Sequence, residues 1–411
     1  MLNWANQFNI FCLLDNNNYS FEDASFECLL AVGCVRSYNF TGDYDFKNLQ
    51  IFFDTNPGWL FGHLGYNAAG TSYKKINKYP DGFGDGFFFE PEIILKFSTD
   101  KIEVVKSNKA EIEILTEIEN IEVLNLPTDS FIEIKPTISQ EQYFNAITTL
   151  HDHLQRGDCY EINFCQRFTA ENATIHPVEL YGKLSALSPA PFGAMYKLYN
   201  HYCLCASPER FLQKKGRRLI SQPIKGTTKR EVDPLKDKAN KDYLNTSTKE
   251  KSENVMVVDL VRNDMSMVCE KGSVYVKELF GVYSFAQVHQ MISTVEGTLA
   301  DDKNFTEAIE ACYPMGSMTG APKMRVMQLI EEYEQTRRGL FSGSIGYITP
   351  QGDFDFNVVI RSIFYNEKER QVSFFAGGGI TFYSNAADEY EESLMKAAAI
   401  INVLGNKEMN L

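Results

Sequence analysis

The sequence has few of the features that mark secreted, membrane-spanning or zinc-binding proteins. No apolar run among its 411 residues approaches the length of a spanning helix. The first basic residue is Arg36, so we expect no secretory signal. The nine cysteines are scattered and odd in number, and neither a second cysteine pair nor spaced histidines accompany Cys203 and Cys205 to complete a zinc site. These absences predict a cytoplasmic protein with reduced thiols.

Basic residues are outnumbered by acidic ones, which limits the classes of partner. The formal net charge is −14, so neither a nucleic acid nor an anionic membrane is expected as the main partner. Hydrophobic residues make up 44% of the chain, enough for a large buried core. Length alone suggests roughly two to three domains.

Hydrophobic periodicity predicts a mixed α/β protein with a smaller N-terminal part and a larger C-terminal part. Residues 51–53 and 58–66 are typical of strands, and turn clusters are predicted at residues 15–18 and 80–85. Alternating charged and apolar residues over 98–129 indicate an exposed hairpin or connector. Strands then alternate with helices predicted at 140–155, 233–264, 305–312, 322–333 and 386–403.

The most informative segment is 222–228 (QPIKGTT), with Lys225 at its centre. A lysine between an apolar run and a Gly-Thr turn is expected where a strand ends at a loop. Most lysines are exposed, and an exposed Lys225 would be solvated and inert. A lysine that a tight loop holds in a pocket is desolvated, and the resulting free amine is a nucleophile. The segment by itself leaves both interpretations open.

Two acidic pairs with the same spacing occur far apart in the chain. Glu250 and Glu253 precede an apolar run, and Glu389 and Glu392 precede an alanine-rich turn. Three-residue spacing places each pair on one helix face. Each pair alone is compatible with a solvated helix start, where the helix dipole favours acids. Together they could direct four carboxylates at one cavity, which would require a cation, and Mg²⁺ suits such oxygen ligands.

Two glycine-rich stretches could accept an anion. Gly377, Gly378 and Gly379 follow a predicted strand at 372–376 and would let backbone N–H groups approach an anion closely. Residues 316–323 (GSMTGAPK) lack the spacing of a nucleotide-binding loop, but Pro322 is suited to start a helix. This Gly-rich turn suits a carboxylate bound near its backbone amides.

The ordered motifs of this chain resemble those of the chorismate-utilising enzymes, a family that includes anthranilate, aminodeoxychorismate, isochorismate and salicylate synthases. The resemblance is dense from about residue 140 to 404 and weaker over the N-terminal third. It is carried by 157–163 (GDCYEIN), 207–211 (SPERF), the Lys225 segment, 258–264 (VDLVRND), His289 before 293–297 (STVEG), 319–323 (TGAPK), the three glycines and the Glu389/Glu392 pair.

The resemblance implies an α+β fold in which two large, mostly antiparallel β-sheets pack face to face, with helices outside and the active site between the layers. It implies an N-terminal region, residues 1–130, interwoven with a chorismate-binding catalytic domain, residues 138–405. It also implies roles for individual residues. Glu209 would be the general acid, Glu253 and Glu392 would bind Mg²⁺ with support from Glu250 and Glu389, and the substrate would be held by Gly226, Thr227, His289, Thr319, Arg361, Gly377, Gly378, Gly379 and Lys396.

Two positions indicate the branch of the family. The resemblance implies a covalent role for Lys225, because aminodeoxychorismate synthases carry lysine there and anthranilate synthases carry alanine. Position 161 is lysine in isochorismate and salicylate synthases, but here it is Glu161, where aminodeoxychorismate synthases often have glutamine. Phe341 stands where the family commonly has tyrosine. Residues 13–16 (LLDN) lack the Glu-Ser that accompanies tryptophan binding, so inhibition by tryptophan stays open.

The expected activity is therefore amination of chorismate at ring carbon 4, giving 4-amino-4-deoxychorismate for folate synthesis. No cysteine-based glutaminase motif is present, so ammonia is expected from a separate glutamine amidotransferase subunit. The alternatives are an anthranilate synthase component I, which aminates carbon 2 and releases pyruvate, and a non-catalytic chorismate-binding regulatory subunit.

Overall fold

Two large antiparallel β-sheets form the frame of the molecule. The computed structural model describes residues 1–19, 23, 26–42, 44–68, 81–122 and 132–405. Pro80 of one predicted turn cluster and residues 123–129 of the predicted connector lie outside these ranges. No helix within them combines the length and apolar character needed to cross a membrane.

The strands in chain order are β1 (Ile10–Asp15), β2 (Cys28–Val32), β3 (Arg36–Asn39), β4 (Leu60–Leu64), β5 (Gly86–Glu90), β6 (Ile93–Ser98), β7 (Lys101–Lys106), β8 (Lys135–Pro136), β9 (Glu161–Ala170), β10 (Phe192–Leu198), β11 (His201–Ser207), β12 (Arg210–Lys215), β13 (Arg218–Gln222), β14 (Ile224–Lys229), β15 (Tyr275–Ser284), β16 (Val288–Thr298), β17 (Gly320–Ala321), β18 (Ser344–Ile348), β19 (Phe354–Asn357), β20 (Ser362–Asn366) and β21 (Gln371–Thr381). The α-helices are α1 (Leu2–Ala5), α2 (Asp45–Thr55), α3 (Glu111–Glu119), α4 (Gln140–Gln155), α5 (Pro177–Leu187), α6 (Pro234–Thr246), α7 (Thr248–Ser266), α8 (Phe305–Cys312), α9 (Lys323–Tyr333) and α10 (Ala386–Val403).

Strands from both ends of the chain contribute to both sheets. The first sheet runs in the order β17-β9-β21-β20-β11-β10-β1-β2-β6-β7, with β8 also paired to β9. The second runs β14-β16-β13-β12-β19-β18-β4-β5-β3, with β15 also paired to β16. N-terminal strands therefore lie beside C-terminal strands in each sheet, for example β1 against β10 and β4 against β18.

Successive side chains of a strand point alternately into two different hydrophobic clusters. On β1, Ile10, Cys12 and Leu14 face the apolar layer between the two sheets, whereas Phe11 and Leu13 face the helices that cover the first sheet. Successive side chains of a strand point to opposite faces, so a strand buried on both faces is continuously hydrophobic. A third cluster lies between the second sheet and α2, α7 and α8. The predicted α+β architecture of two packed antiparallel sheets with outer helices is confirmed.

Several predicted helices are confirmed and two details are corrected. Helices α4, α8 and α10 have the predicted bounds, and α9 begins one residue later than predicted. The single helix predicted over 233–264 is instead two helices, because Ser247 is extended and its side chain caps the start of α7. The strand predicted at 51–53 is wrong. These residues belong to α2, whose buried Phe46, Leu49 and Phe53 follow helical spacing.

The connector predicted as an exposed hairpin has more structure than expected. Its first part forms β7, which extends the first sheet, and α3 follows it. The predicted strand over 58–66 is found as β4.

Candidate active site

Lys225 lies at the interface between the two sheets. The expectation that it sits on a loop is wrong, because Lys225 is the second residue of β14, separated from β13 by Pro223. Its Nζ contacts Oε1 of Glu161 and donates a hydrogen bond of 3.2 Å to Oδ1 of Asn163, both on β9 of the other sheet. The Lys225 side chain is 11% exposed. The interpretation of Lys225 as a solvated surface lysine is therefore excluded.

The charge on Lys225 differs from the sequence-based expectation. Burial by itself lowers the pKa of Lys225, but the carboxylates of Glu161, Glu253 and Glu209 raise it above its ordinary value. The expectation that desolvation leaves a free amine is corrected, because the pocket supplies carboxylates as well as apolar surroundings. The raised pKa favours the ammonium form of Lys225, which has to lose a proton before the amine can act as a nucleophile.

Glu209 is a second buried ionisable group of the site. It immediately precedes β12 and is 4% exposed. Burial raises the pKa of Glu209 to about 7, although Ser317, Lys225 and Arg361 favour its ionised form. A carboxyl group with this pKa is partly protonated at neutral pH, which is the state that a general acid requires.

The three glycines lie within β21, not after a strand as predicted, and they leave space for charged groups on either side. A Cβ at Gly379 would lie 2.8 Å from Oε1 of Glu161 and 3.1 Å from Nζ of Lys225. A Cβ at Gly378 would lie 3.2 Å from Glu389 and 3.3 Å from Glu392. Glycine at these positions therefore allows the strand to pass close to both groups of acids.

The two predicted acidic pairs converge on this region. Glu250 and Glu253 lie in the first two turns of α7, and Glu389 and Glu392 lie in those of α10. Lys249 interacts electrostatically with all four carboxylates, which places them around one lysine. Glu250 also approaches β14, since a Cβ built at Gly226, whose φ is +89°, would lie 3.0 Å from its Oε2.

The protonation of these acids depends on burial and on neighbouring lysines. Burial raises the pKa of Glu253 to about 7, and burial also raises the pKa of Glu250 and Glu389. For Glu392 burial acts in the same direction, but Lys396 outweighs it and lowers the pKa. The Lys396 Nζ lies 2.6 Å from Oε1 of Glu392.

The chemistry of this acidic group fits Mg²⁺, which prefers oxygen ligands and a small number of carboxylates. Burial is the main cause of the raised pKa at three of the four acids, and repulsion from a neighbouring carboxylate acts in the same direction. Within the described ranges, however, no three His, Cys, Asp or Glu side chains are arranged closely enough to hold a metal ion. The four acids lie in one region of the structure, and the positive charges of Lys249 and Lys396 partly neutralise their carboxylates.

The remaining predicted substrate-binding residues are distributed around the site. Arg361 is partly buried with φ of +52°, and it interacts electrostatically with Glu209. Thr319 is buried, and its carbonyl accepts hydrogen bonds of 2.8 and 3.1 Å from the backbone and side chain of Asn163. Thr227 is exposed on β14. Arg361 is thus connected to Lys225 by electrostatic interactions with Glu209, and Thr319 is connected to it by hydrogen bonds to Asn163.

His289 is positioned by other contacts. Its Nε2 lies 3.1 Å from Oδ1 of Asp237, and its Nδ1 lies 2.9 Å from the hydroxyl of Ser284. Both ring nitrogens are therefore engaged by neighbours on α6 and β15.

Two residues of the site were not predicted from the sequence. Asn163 hydrogen-bonds Lys225, and Lys249 lies among the four acids. The spacing of Glu161 and Asn163 was an available signal, since residues two apart on a strand share a face. Phe341, the other departure from the family pattern, stacks on Phe375 with ring centroids 4.6 Å apart.

Comparison with known proteins identifies the family of this chain. Residues 20–402 match the family described as chorismate binding enzymes. The chain belongs to that family. The match covers most of the chain, including the N-terminal strands from β2 onward, where the motifs are weak.

Curated relatives within the family include aminodeoxychorismate synthases. The chloroplastic aminodeoxychorismate synthase of Arabidopsis thaliana is 34% identical over 386 residues, covering 88% of this chain and 42% of the relative. Aminodeoxychorismate synthase component 1 of Salmonella typhimurium is 40% identical over 265 residues, covering 64% of this chain and 58% of the relative. The matched region thus spans about half the length of these relatives.

Two solved enzyme structures share the fold. Anthranilate synthase component I from Streptococcus pneumoniae superposes with a TM-score of 0.80 at 27% identity, covering 93% of each chain. The menaquinone-specific isochorismate synthase from Escherichia coli has a TM-score of 0.77 at 16% identity, covering 98% of this chain and 91% of the other. The second likeness supports the fold alone.

Proposed function

We propose that this protein aminates chorismate at ring carbon 4 and forms 4-amino-4-deoxychorismate. The observation that carries the proposal is the burial of Lys225 between the sheets, in contact with Glu161 and Asn163. The relatives named aminodeoxychorismate synthase support the same activity. In this reaction the amine of Lys225 attacks ring carbon 2 as the carbon-4 hydroxyl leaves, and ammonia then enters at carbon 4 and expels the lysine.

Glu209 is suited to assist the departing hydroxyl. Its pKa of about 7 keeps part of the population protonated at neutral pH, so it can donate a proton to the leaving oxygen. Arg361 lies in the electrostatic field of Glu209 and has a planar guanidinium that suits a substrate carboxylate. The two residues would thus act on neighbouring parts of one substrate.

The acids of α7 and α10 would hold Mg²⁺ in this proposal. Glu253 and Glu392 are the proposed ligands, with Glu250 and Glu389 in support. The bound cation would neutralise a carboxylate of the dianionic substrate. Lys249 and Lys396 would then be released from the acids that they now neutralise, and Lys396 would be free to contact the substrate.

The proposed nitrogen donor is ammonia supplied by a separate glutamine amidotransferase subunit. The name component 1, carried by several relatives, supports a second subunit. This chain's own cysteines are poorly suited to glutaminase chemistry, which needs a thiol with a lowered pKa. Burial raises the pKa of all nine thiols, at Cys12, Cys28, Cys34, Cys159, Cys165, Cys203, Cys205, Cys269 and Cys312.

Anthranilate synthesis is the second candidate, favoured by the close superposition on anthranilate synthase component I. Incubation with chorismate, Mg²⁺ and an ammonium salt, followed by mass spectrometry of the products, distinguishes the two. The proposal requires 4-amino-4-deoxychorismate without pyruvate. Anthranilate with an equal amount of pyruvate would establish the second candidate, and no product from chorismate would favour a non-catalytic role.

A further inference from the structure

The side chain of Glu161 has a geometry that an ordinary structural ion pair does not explain. Its Oε1 contacts Nζ of Lys225, whereas its Oε2 is buried and has no hydrogen-bond partner within the described ranges. A buried carboxylate oxygen without a partner costs free energy, on the order of 1–3 kcal/mol. Such an atom is expected where a group has to accept a proton or a further ligand.

The position of Glu161 relative to the rest of the site is set by backbone structure. Glu161 is the first residue of β9 and pairs with Thr381 of β21. Gly379 passes so close to Glu161 and Lys225 that a Cβ there would lie within 3.1 Å of both side chains. The strand therefore supports the contact between the acid and the amine without filling the space beside it.

Other ionisable groups surround Lys225, but its hydrogen bonds run to Glu161 and to the neutral Asn163. Glu209 next to β12, Glu250 and Glu253 on α7, and Glu392 on α10 interact with Lys225 electrostatically, as does Cys165 on β9. Glu161 is thus the acid placed to exchange a proton directly with Nζ.

We infer that Glu161 is the proton acceptor that converts the Lys225 ammonium into the attacking amine and later returns the proton. This role rests on the proposed function, because it requires Lys225 to act as a nucleophile. The raised pKa of Lys225 makes such an acceptor necessary at neutral pH.

The proton and electron balance is closed by two acids. Glu161 takes one proton from the Nζ ammonium, and the resulting lone pair forms the bond to ring carbon 2. Both ring double bonds shift, the carbon-4–oxygen bond breaks, and Glu209 gives its proton to the departing oxygen, which leaves as water. Ammonia then forms the bond to carbon 4, both double bonds shift back, and the carbon-2–nitrogen bond breaks. Glu161 returns its proton to the released lysine, and Glu209 recovers a proton from the new ammonium group on carbon 4.

The test is the rate of adduct formation on Lys225, measured by intact-protein mass after rapid quenching with chorismate, Mg²⁺ and no ammonia. Wild type and Glu161→Gln are compared from pH 6 to 9. Both proteins contain Glu209, so the pH dependence that Glu209 imposes on the rate cancels when the two rates are divided. General-base catalysis contributes about 10²–10⁴-fold. We expect wild type to be at least about 100-fold faster than Glu161→Gln at pH 6. The ratio should fall about tenfold per pH unit, because Lys225 in the variant must lose its proton to solvent.

Two further variants complete the test. Glu161→Asp keeps the carboxylate, so its rate should be lower than that of wild type by a factor that does not change with pH. If Glu161→Gln does not fold, Glu161→Asp takes its place in the test. A ratio of the wild-type rate to the Glu161→Asp rate that falls as pH rises would then overturn the inference. Glu179→Gln, which removes an exposed carboxylate on α5, is the matched control and should leave the rate unchanged.

The outcomes separate this inference from the proposed function. A ratio near or below one at pH 6, or a large ratio that is constant with pH, would overturn the role of Glu161 while Lys225 still forms an adduct. If wild type forms no adduct at any pH, the covalent mechanism of the proposed function fails, and the inference about Glu161 fails with it.

Discussion

Lys225 of one sheet and Glu161 of the other form an ion pair across the interface between the two sheets. The pair links β14, at the edge of the second sheet, to β9 of the first, so it also reports on how the sheets pack. Its location between the sheets is consistent with an active site to which both sheets contribute residues.

Replacing Lys225 with alanine should reduce formation of 4-amino-4-deoxychorismate by orders of magnitude, because covalent catalysis is lost. Chorismate and Mg²⁺ should still bind. An adduct with the mass of chorismate less one water should be found on wild type and be missing from the variant. Near-normal turnover of Lys225→Ala, without an adduct on wild type, would show that Lys225 is not the nucleophile.

Replacing Glu253 or Glu392 with glutamine should abolish activity at limiting Mg²⁺, because each variant removes a charged oxygen ligand. Activity should be partly recovered at high Mg²⁺. Titration of activity against Mg²⁺ measures the change. As a control, Glu391→Gln alters the neighbouring position on α10, where the side chain is exposed, and should behave like wild type. Full turnover of either site variant at limiting Mg²⁺ would remove that residue from the proposed ligands.

The rate of adduct formation should depend on the protonation of Glu209. A general acid acts only in its protonated form, and the pKa of Glu209 is about 7. The rate should therefore be highest below pH 7 and fall about tenfold per pH unit above it. Single-turnover rates from pH 6 to 9 test this, and Glu209→Gln should be slow and lack this decline. If the decline persists in Glu209→Gln, another group is the acid.

Replacing Gly379 with alanine should impair catalysis more than stability. The added methyl group would lie 2.8 Å from Oε1 of Glu161 and 3.1 Å from Nζ of Lys225, so the pair would have to move. Adduct formation should fall at least about tenfold, the cost expected when reacting groups are displaced. Gly182→Ala is the matched control, because its added methyl group meets no atom within 4 Å. That helical substitution should stabilise the protein by about 1 kcal/mol and leave the rate unchanged.

The purified chain should use ammonium and not glutamine as its nitrogen source. At a fixed pH, product formation should increase with the concentration of the ammonium salt, and glutamine alone should give no product. Adding a glutamine amidotransferase subunit should make glutamine effective. Glutamine-dependent amination by the purified single chain would contradict the proposal of a separate subunit.

Much of the fold was predictable because its determinants are local. Helices α4 and α8 have side-chain capping residues and regular apolar spacing, which the sequence displays directly. The strand predicted at 51–53 was wrong because a short apolar run is ambiguous between strand and helix, and the packing of Phe53 on Phe305 of α8 belongs to the tertiary structure.

The amino-acid sequence alone indicated the candidate residues for the chemistry: one lysine, several paired acids and a run of glycines, in an order typical of the family. Their preferred protonation depends on the tertiary structure. The charge of Lys225 depends on Glu161, 64 positions away, and on Glu253 and Glu209. Electrostatic interactions act through space and strengthen with burial, so no local pattern contains them. The same reason explains why Glu161, which is a departure from the family pattern in the sequence, becomes the direct partner of Lys225 in the fold.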